Sequence, residues 1–229
     1  VALITDLIQA AKENADKVHD DQVSDDEWLR HIRNALTELQ ALVANAYRDT
    51  FFDTFDFTLS SPSYSFSLGG LSPKFWRLKG VDSDPDTLQR VALRPFNFGE
   101  RATVGGLQYP WWGTPIQGVP WCPTRTYHVL GQTLQIQPQE VAAGRYRIYY
   151  VRAVILPVSI ADPDWALDTE LERWVEYVEV AAARRGLWKE ESDTRATLDQ
   201  RLLQMRADIL EDAEQDENEL SITDVGWGY

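Results

Sequence analysis

The residues able to do chemistry are few and far apart. The three histidines, His19, His31 and His128, have no second ligand at metal-site spacing. Cys122 is the only cysteine. As a nucleophile it would need a base such as His128 to draw off its proton. It stands between Trp121 and Pro123, which favours a plain thiol in an aromatic cluster over an activated thiolate. Asp162 and Asp164 flank Pro163 just ahead of a helical pattern. Carboxylates there complement a helix N-terminus, and that reading is favoured over acid–base catalysis. Gly69-Gly70 and Gly105-Gly106 lack the neighbours that make a phosphate-cradling loop and are read as turns. No Walker loop, dinucleotide fingerprint or nucleophile elbow is present. The expectation is a protein with no catalytic residues, no cofactor and no metal.

Aromatic and basic side chains remain. Of nine tryptophans, Trp28 and Trp174 lie on helical stripes, as does Trp188 by position, and these suit a core. Trp111, Trp112 and Trp121 lie instead in a long Gly/Pro-punctuated stretch, 105–123. A loop of that length is usually functional, and exposed aromatics fit a protein interface. Stacking on the apolar faces of a sugar stays open as an alternative. The set Lys74, Arg77, Lys79, Arg90, Arg94, Arg101, Arg125, Arg145, Arg147 and Arg152 could meet DNA. Without a nucleic-acid motif, subunit ion pairing or plain solubility is favoured for it.

Charge divides the chain. The 229 residues carry 22 Lys/Arg and 36 Asp/Glu, a net charge of −14. Residues 1–50 hold 5 basic against 10 acidic groups, residues 74–152 hold 10 against 5, and residues 206–229 set Arg206 against eight acids. An acidic chain is a poor general grip on phosphates. A basic middle between acidic ends suits self-association or a defined partner. The lone cysteine excludes an intrachain disulfide framework and suits a reducing compartment. No apolar run reaches the roughly 18 residues of a membrane span, and no signal peptide is expected.

The elements that must position these residues follow from periodicity. Leu3, Leu7, Ala11, Ala15 and Val18 mark a helix over 2–18. Ser24 with Glu27 forms a capping box for a second helix carrying Trp28, Ile32, Leu36, Leu39 and Val43. From about Phe51 the period becomes two. Tyr64, Phe66 and Leu68 alternate, as do Trp76 and Leu78, and then Tyr146, Ile148 and Tyr150. Gly131-Gln132 between two strand-like runs suits a two-residue II′ hairpin turn. Thr169 with Glu172 suggests a second capping box, opening a helix to about Leu187, and Leu198, Leu202, Met205 and Ile209 mark a last helix. The expected fold is α+β. N- and C-terminal helix pairs, 1–50 and 161–212, form a bundle around a β-rich antiparallel insertion, 51–160, and 213–229 is an extended acidic tail.

The order of several segments carries a resemblance. Phe75-Trp76-Arg77-Leu78-Lys79-Gly80-Val81-Asp82 precedes Arg94-Pro95-Phe96-Asn97-Phe98-Gly99-Glu100-Arg101. Then come the strand pair Tyr127–Pro138, the run Arg145–Val151, the helix at Trp174–Val178 and Lys189-Glu190-Glu191-Ser192-Asp193. Over roughly residues 25–213 this resembles the head-to-tail adaptor, or connector, proteins of tailed bacteriophages. The resemblance implies a structural protein without catalytic residues. Such adaptors form a ring of copies of themselves, usually twelve, beneath the portal protein. The ring extends the channel through which genomic DNA passes without sequence-specific binding, and it docks tail or nozzle proteins. The implied location is the virion neck between capsid and tail, with assembly in the host cytoplasm and no membrane partner. An acidic channel wall would repel the DNA. The loop 105–123 departs from the family pattern. By the same resemblance the tail would dock on the portal or a neighbouring copy, with Ile222, Val225, Trp227 and Tyr229 as its apolar anchors. The alternatives are another virion component, such as a tail-completion or decoration protein, and a carbohydrate-binding protein using Trp111, Trp112 and Trp121.

Overall fold

The computed structural model describes residues 3–17, 23–47, 50–84, 91–96, 125–137, 142–160, 162, 165–187 and 193–223, with side chains described as far as residue 215. It is a mixed α+β structure of two compact units. One joins Val1–Phe51 to Val154–Tyr229, and the other is Phe52–Ala153. Residues 157 and 158 are fastened to the second helix, as described below, and lie with the first unit.

The helical unit contains α1 (Ile4–Asn14), α2 (Asp25–Ala46), α3 (Val175–Gly186) and α4 (Asp193–Thr223). Helix α1 ends short of residue 18, where Asp16 takes φ 55° and the Lys17 N–H turns back to the Lys12 carbonyl. Helix α2 opens as expected, with Ser24 Oγ accepting from the Glu27 N–H at 3.3 Å. The capping box at Thr169 does not open an α-helix. Glu170 N–H bonds Asp168 Oδ1, a 3-10 turn covers Glu172–Trp174, and α3 begins only at Val175. Local side-chain acceptors compete with the helix here and delay it.

Helix α4 corrects the expected tail. It runs through 213 to Thr223, so the segment 213–223 is helical rather than extended. Between Leu187 and Val225 there is no Gly or Pro to stop a helix. Its buried stripe includes Leu198, Leu202, Ile209 and Ala213. An acidic run without a helix breaker can continue the helix past that stripe.

Helix α3 packs against α1, α2 and α4. Three neighbours leave little room, and α3 meets this with the buried small residues Ala181, Ala182 and Ala183. Gly186 ends the helix against the fully buried Trp28 of α2. A Cβ at Gly186 would overlap the Trp28 ring, 2.9 Å from Cζ3 and closer still to Cη2.

The second unit stacks two four-stranded sheets. The strands are β1 (Phe52–Leu59), β2 (Ser65–Ser67), β3 (Phe75–Ser83), β4 (Val91–Ala92), β5 (Arg94–Pro95), β6 (Thr126–Leu130), β7 (Thr133–Gln137) and β8 (Gly144–Arg152). One sheet has the order β1-β8-β3-β4 and the other β2-β7-β6-β5. The pairs are antiparallel except β5–β6, which is parallel, against the all-antiparallel expectation. β6 and β7 meet at Gly131-Gln132 with φ 60° at Gly131 alone, as a II′ turn requires. One core joins the sheets. Phe57, Val81, Tyr146 and Ile148 come from the first, and Leu134 and Ile136 from the second. Phe57 stacks on Phe66 at 4.2 Å and on Tyr146 at 5.4 Å between ring centroids.

Replacing Gly186 by Ala should destabilise the helical unit by about 1–3 kcal/mol, the usual range for overpacking a filled core. Thermal denaturation followed by circular dichroism would read this as a lower midpoint. The compensating pair Gly186→Ala with Trp28→Phe should recover part of the loss.

Candidate functional site

Among the described residues of the helical unit, a cluster of charged side chains centres on Glu38 of α2. Its Oε1 accepts from the Tyr177 hydroxyl of α3 at 2.8 Å and from the Arg206 guanidinium of α4. Its Oε2 accepts from Arg185 of α3. Arg206 Nε also donates to the Tyr177 hydroxyl at 3.0 Å, closing the circuit. One carboxylate thus ties three helices. Burial by itself raises the Glu38 pKa. The hydrogen bonds from Tyr177 and Arg185, with the charges of Arg185 and Arg206, outweigh it and hold the group below its ordinary 4.5. Burial first, and then the Glu38 carboxylate against the opposing Arg206, pushes the Tyr177 phenol up.

A cavity of about 370 Å³ opens beside this junction. Ala181 and the buried Leu202 line it, together with the exposed Leu203 and the guanidinium groups of Arg184, Arg185 and Arg206. Arg184 Nε is paired with Asp199 at 2.7 Å. A second cavity of about 500 Å³ shares Arg184 and Arg185 and adds Arg30, His31 and Arg195. His31 sits edge-on to Trp28 at 5.9 Å, and burial holds its pKa below 6.5 against the pull of Glu27. The two cavities adjoin at Arg184 and Arg185 and make up an arginine-edged groove region beside α2, α3 and α4. The unit around them is strongly acidic: residues 1–51 and 154–229 carry 12 Lys/Arg against 29 Asp/Glu. Five of the eight residues lining the first cavity are charged, and each of its three guanidinium groups is paired with a carboxylate of the same unit.

The same unit presents a second feature on the segment that follows β8. Arg33 of α2 donates from Nε to the Pro157 carbonyl at 2.7 Å and from its terminal nitrogen to the Val158 carbonyl. The buried Trp165 indole donates to the Ile155 carbonyl at 2.8 Å, and Asp162 accepts the Val158 N–H at 3.3 Å. The backbone is clamped, yet Ile155, Leu156 and Val158 are 65%, 38% and 78% exposed.

In the sheet unit, part of the basic set is engaged within the unit. Arg147 forms a two-toothed pair with Asp56 on the neighbouring strand, at 2.6 and 2.7 Å. That pairing raises the Arg147 pKa and lowers that of Asp56. Arg125 lies 3.5 Å from Asp84 and 5.9 Å above the Tyr146 ring. Trp28 is core, as its stripe implies, while Trp174 is half-buried under Arg173 at 4.9 Å. Trp111, Trp112, Trp121 and Cys122 lie outside the described residues, as do Val225, Trp227 and Tyr229. Ile222 lies on the α4 backbone, with its side chain outside the description. Neither the arginine groove nor the clamped loop stands out in the sequence. Arg184-Arg185 and the aliphatic run Ile155–Val158 are their only local signals.

Among the described residues, no group of three or more His, Cys, Asp or Glu is placed to hold a metal ion. Among the same residues, no helix is long and apolar enough to cross a membrane. No protein-family model matches the chain, and no curated protein matches it.

The lowered Glu38 pKa has a definite sign. The unfolded chain takes up the Glu38 proton at a higher pH than the folded one. The stabilisation is therefore complete above about 4.5 and disappears as pH falls through the lower folded value. Wild type should lie well above Glu38→Gln in thermal midpoint at pH 7, and the gap should shrink below about pH 4. Paired melts across this range check it. A gap independent of pH would contradict the assignment.

Proposed function

We propose that the chain is a structural head-to-tail adaptor of a tailed bacteriophage. In this reading it is not an enzyme. It forms a ring of its own copies beneath the portal protein, extends the DNA channel and docks the tail in the virion neck. The observation that carries the reading is the coincidence of motif order with element order. The segment 75–82 falls on β3, 127–137 on the β6–β7 hairpin, 145–151 on β8, and 174–178 on the start of α3. Segments before residue 52 and after residue 153 belong to one helical unit, with the β-rich unit inserted between them in the sequence, and this supports the same reading. So does the charge division, with a mildly basic middle and strongly acidic ends.

Cryo-electron microscopy of the particle whose genome encodes the chain tests this. The expected result is a ring of this protein between portal and tail. Absence of the protein from purified particles, or its location at the tail tip or on the capsid surface, would overturn the reading. Gene order is a cheaper check, because an adaptor gene should lie close to the portal and capsid genes.

The acidic end of the chain gives a further prediction. Among the described side chains, Ala213 is the last buried residue of α4. Deleting 214–229 should therefore leave the unit folded, with an unchanged thermal midpoint. It removes Ile222, Val225, Trp227 and Tyr229, the anchors proposed for portal or neighbour. Binding to the portal ring should weaken at least tenfold, and unchanged affinity would refute their role.

A further inference from the structure

We infer that β1 is completed by a strand from a neighbouring copy: residues 224–229 of one chain add to the outer edge of β1 of the next. This rests on the ring reading above and names a contact for it.

β1 differs from the other edges of the sheet unit. Among the described residues the two sheets have four outer strands, β1, β4, β2 and β5. β2 is three residues long, and β4 and β5 are two each. Edges that short offer little to an incoming strand. β1 is eight residues long and pairs with β8 at every one of them, without a bulge. It contains no proline and no lysine, the residues that commonly guard an edge. Phe52 and Phe55 are 46% and 37% exposed.

The parity of the ladder shows what this edge presents. On β8 the Arg145 carbonyl accepts from the Asp84 N–H at 2.9 Å, on the β3 side. Successive residues of an antiparallel strand bond to opposite sides. Tyr146, Ile148 and Tyr150 therefore bond toward β1, where they face Phe57, Phe55 and Asp53. The backbone groups of Thr54, Asp56 and Thr58 then point away from β8, to the margin. The Thr54 N–H agrees, since it bonds the adjacent Asp53 Oδ1 at 2.7 Å. All three residues are exposed. On the face shared with Phe57 and Leu59, Phe55 stacks on Phe66 at 5.7 Å and brings the inter-sheet core out to the same margin. The edge thus suits a short strand with large apolar side chains on one face.

The segment 224–229 has that form. Val225, Trp227 and Tyr229 alternate with Gly226 and Gly228, and no proline interrupts them. With the large side chains turned toward Phe55, Asp224 and the two glycines lie on the outer face. Rival occupants fit less well. Leu107, Tyr109 and Trp111 also alternate, but Pro110 stands between them, and the segment 105–123 holds four prolines that cannot donate to a ladder. A second β1 would set Asp53 and Asp56 beside two more carboxylates. Helix α4 carries the segment ten residues, about 15 Å, past Ala213, the last buried residue among its described side chains. A segment that follows the helical unit of one copy and docks on the sheet unit of the next joins unlike patches. Such a contact propagates and closes into a ring where the rotation allows.

Hydrogen exchange and cysteine pairing test this together, with the portal protein of the same genome as template. In the assembled wild type the amides of Thr54, Asp56 and Thr58 should exchange at least tenfold more slowly than in the monomer. Gly226→Pro removes a strand donor beyond the last buried residue, so its melt should match wild type while the slow exchange at β1 is lost. In a Cys122→Ser background, chains carrying Thr54→Cys or Thr58→Cys are mixed with chains carrying Gly226→Cys under mild oxidation. Linked heterodimers should form, and placing both cysteines on one chain should give a ladder beyond the dimer. A double variant linked only within itself would show the strand returning to its own chain and overturn the inference. Slow exchange at β1 that persists in Gly226→Pro would show another strand there, from 107–111 or from the portal, and overturn it equally. If wild type assembles while the β1 amides exchange as in the monomer, this contact is wrong and the ring reading stands. If wild type stays monomeric at every concentration, with and without portal, both fall.

Discussion

A helix with three helical neighbours has little volume to spare, and that constraint governs the acidic unit. α3 touches α1, α2 and α4, and its buried faces are built from alanines and one glycine beside Tyr177, Val178 and Val180. Close approach brings Trp28 against Gly186. It also brings α2 and α4 near enough for one carboxylate, Glu38, to receive Tyr177, Arg185 and Arg206 together. The ion-pair junction is thus a consequence of the small-residue helix. Bulkier residues on α3 would push Arg206 away and leave Glu38 with an incomplete set of donors. The adjacent groove depends on the same spacing, because its floor is Ala181 against Leu202.

The sheet unit solves a different problem. Its two sheets bury one shared core, and the inward set Phe57, Tyr146, Ile148 and Tyr150 comes from the adjacent strands β1 and β8. The outward set on the same strands includes Asp56 and Arg147, which pair across the ladder. Alternation therefore sends aromatic stacking to one face and charge pairing to the other. A guanidinium held by two carboxylate oxygens is less available to a phosphate, so the basic count of the middle region overstates its free cation density.

Much of this was legible in the residues. The period-two run at Tyr146, Ile148 and Tyr150 is a strand with those rings buried, and Ser24 caps α2. The misses have physical causes. Thr169 and Glu172 match a capping pattern, but Asp168 offers a competing acceptor and the chain takes a tight turn first. The acidic run after residue 212 has no hydrophobic period to announce it, yet nothing in it breaks a helix, so α4 continues to Thr223. β1 is eight residues long and unnamed by the sequence, because Phe52, Phe55 and Phe57 are not evenly spaced by two. The groove was the hardest to see. Its rim comes from residues 30, 184, 185, 195 and 206, which only the packing of three helices brings together.

That last point changes what the charge of the chain means. A net charge of −14 suggests repulsion between copies, and a regional count suggests attraction between a basic middle and acidic ends. The helical unit satisfies neither simple picture. It is the most acidic part of the chain, yet five of its 12 cationic side chains edge one groove. At physiological ionic strength the Debye length is about 8 Å, so the field beside those cavities is set by the local ion pairs of Arg30, Arg184, Arg185 and Arg206 rather than by the summed charge.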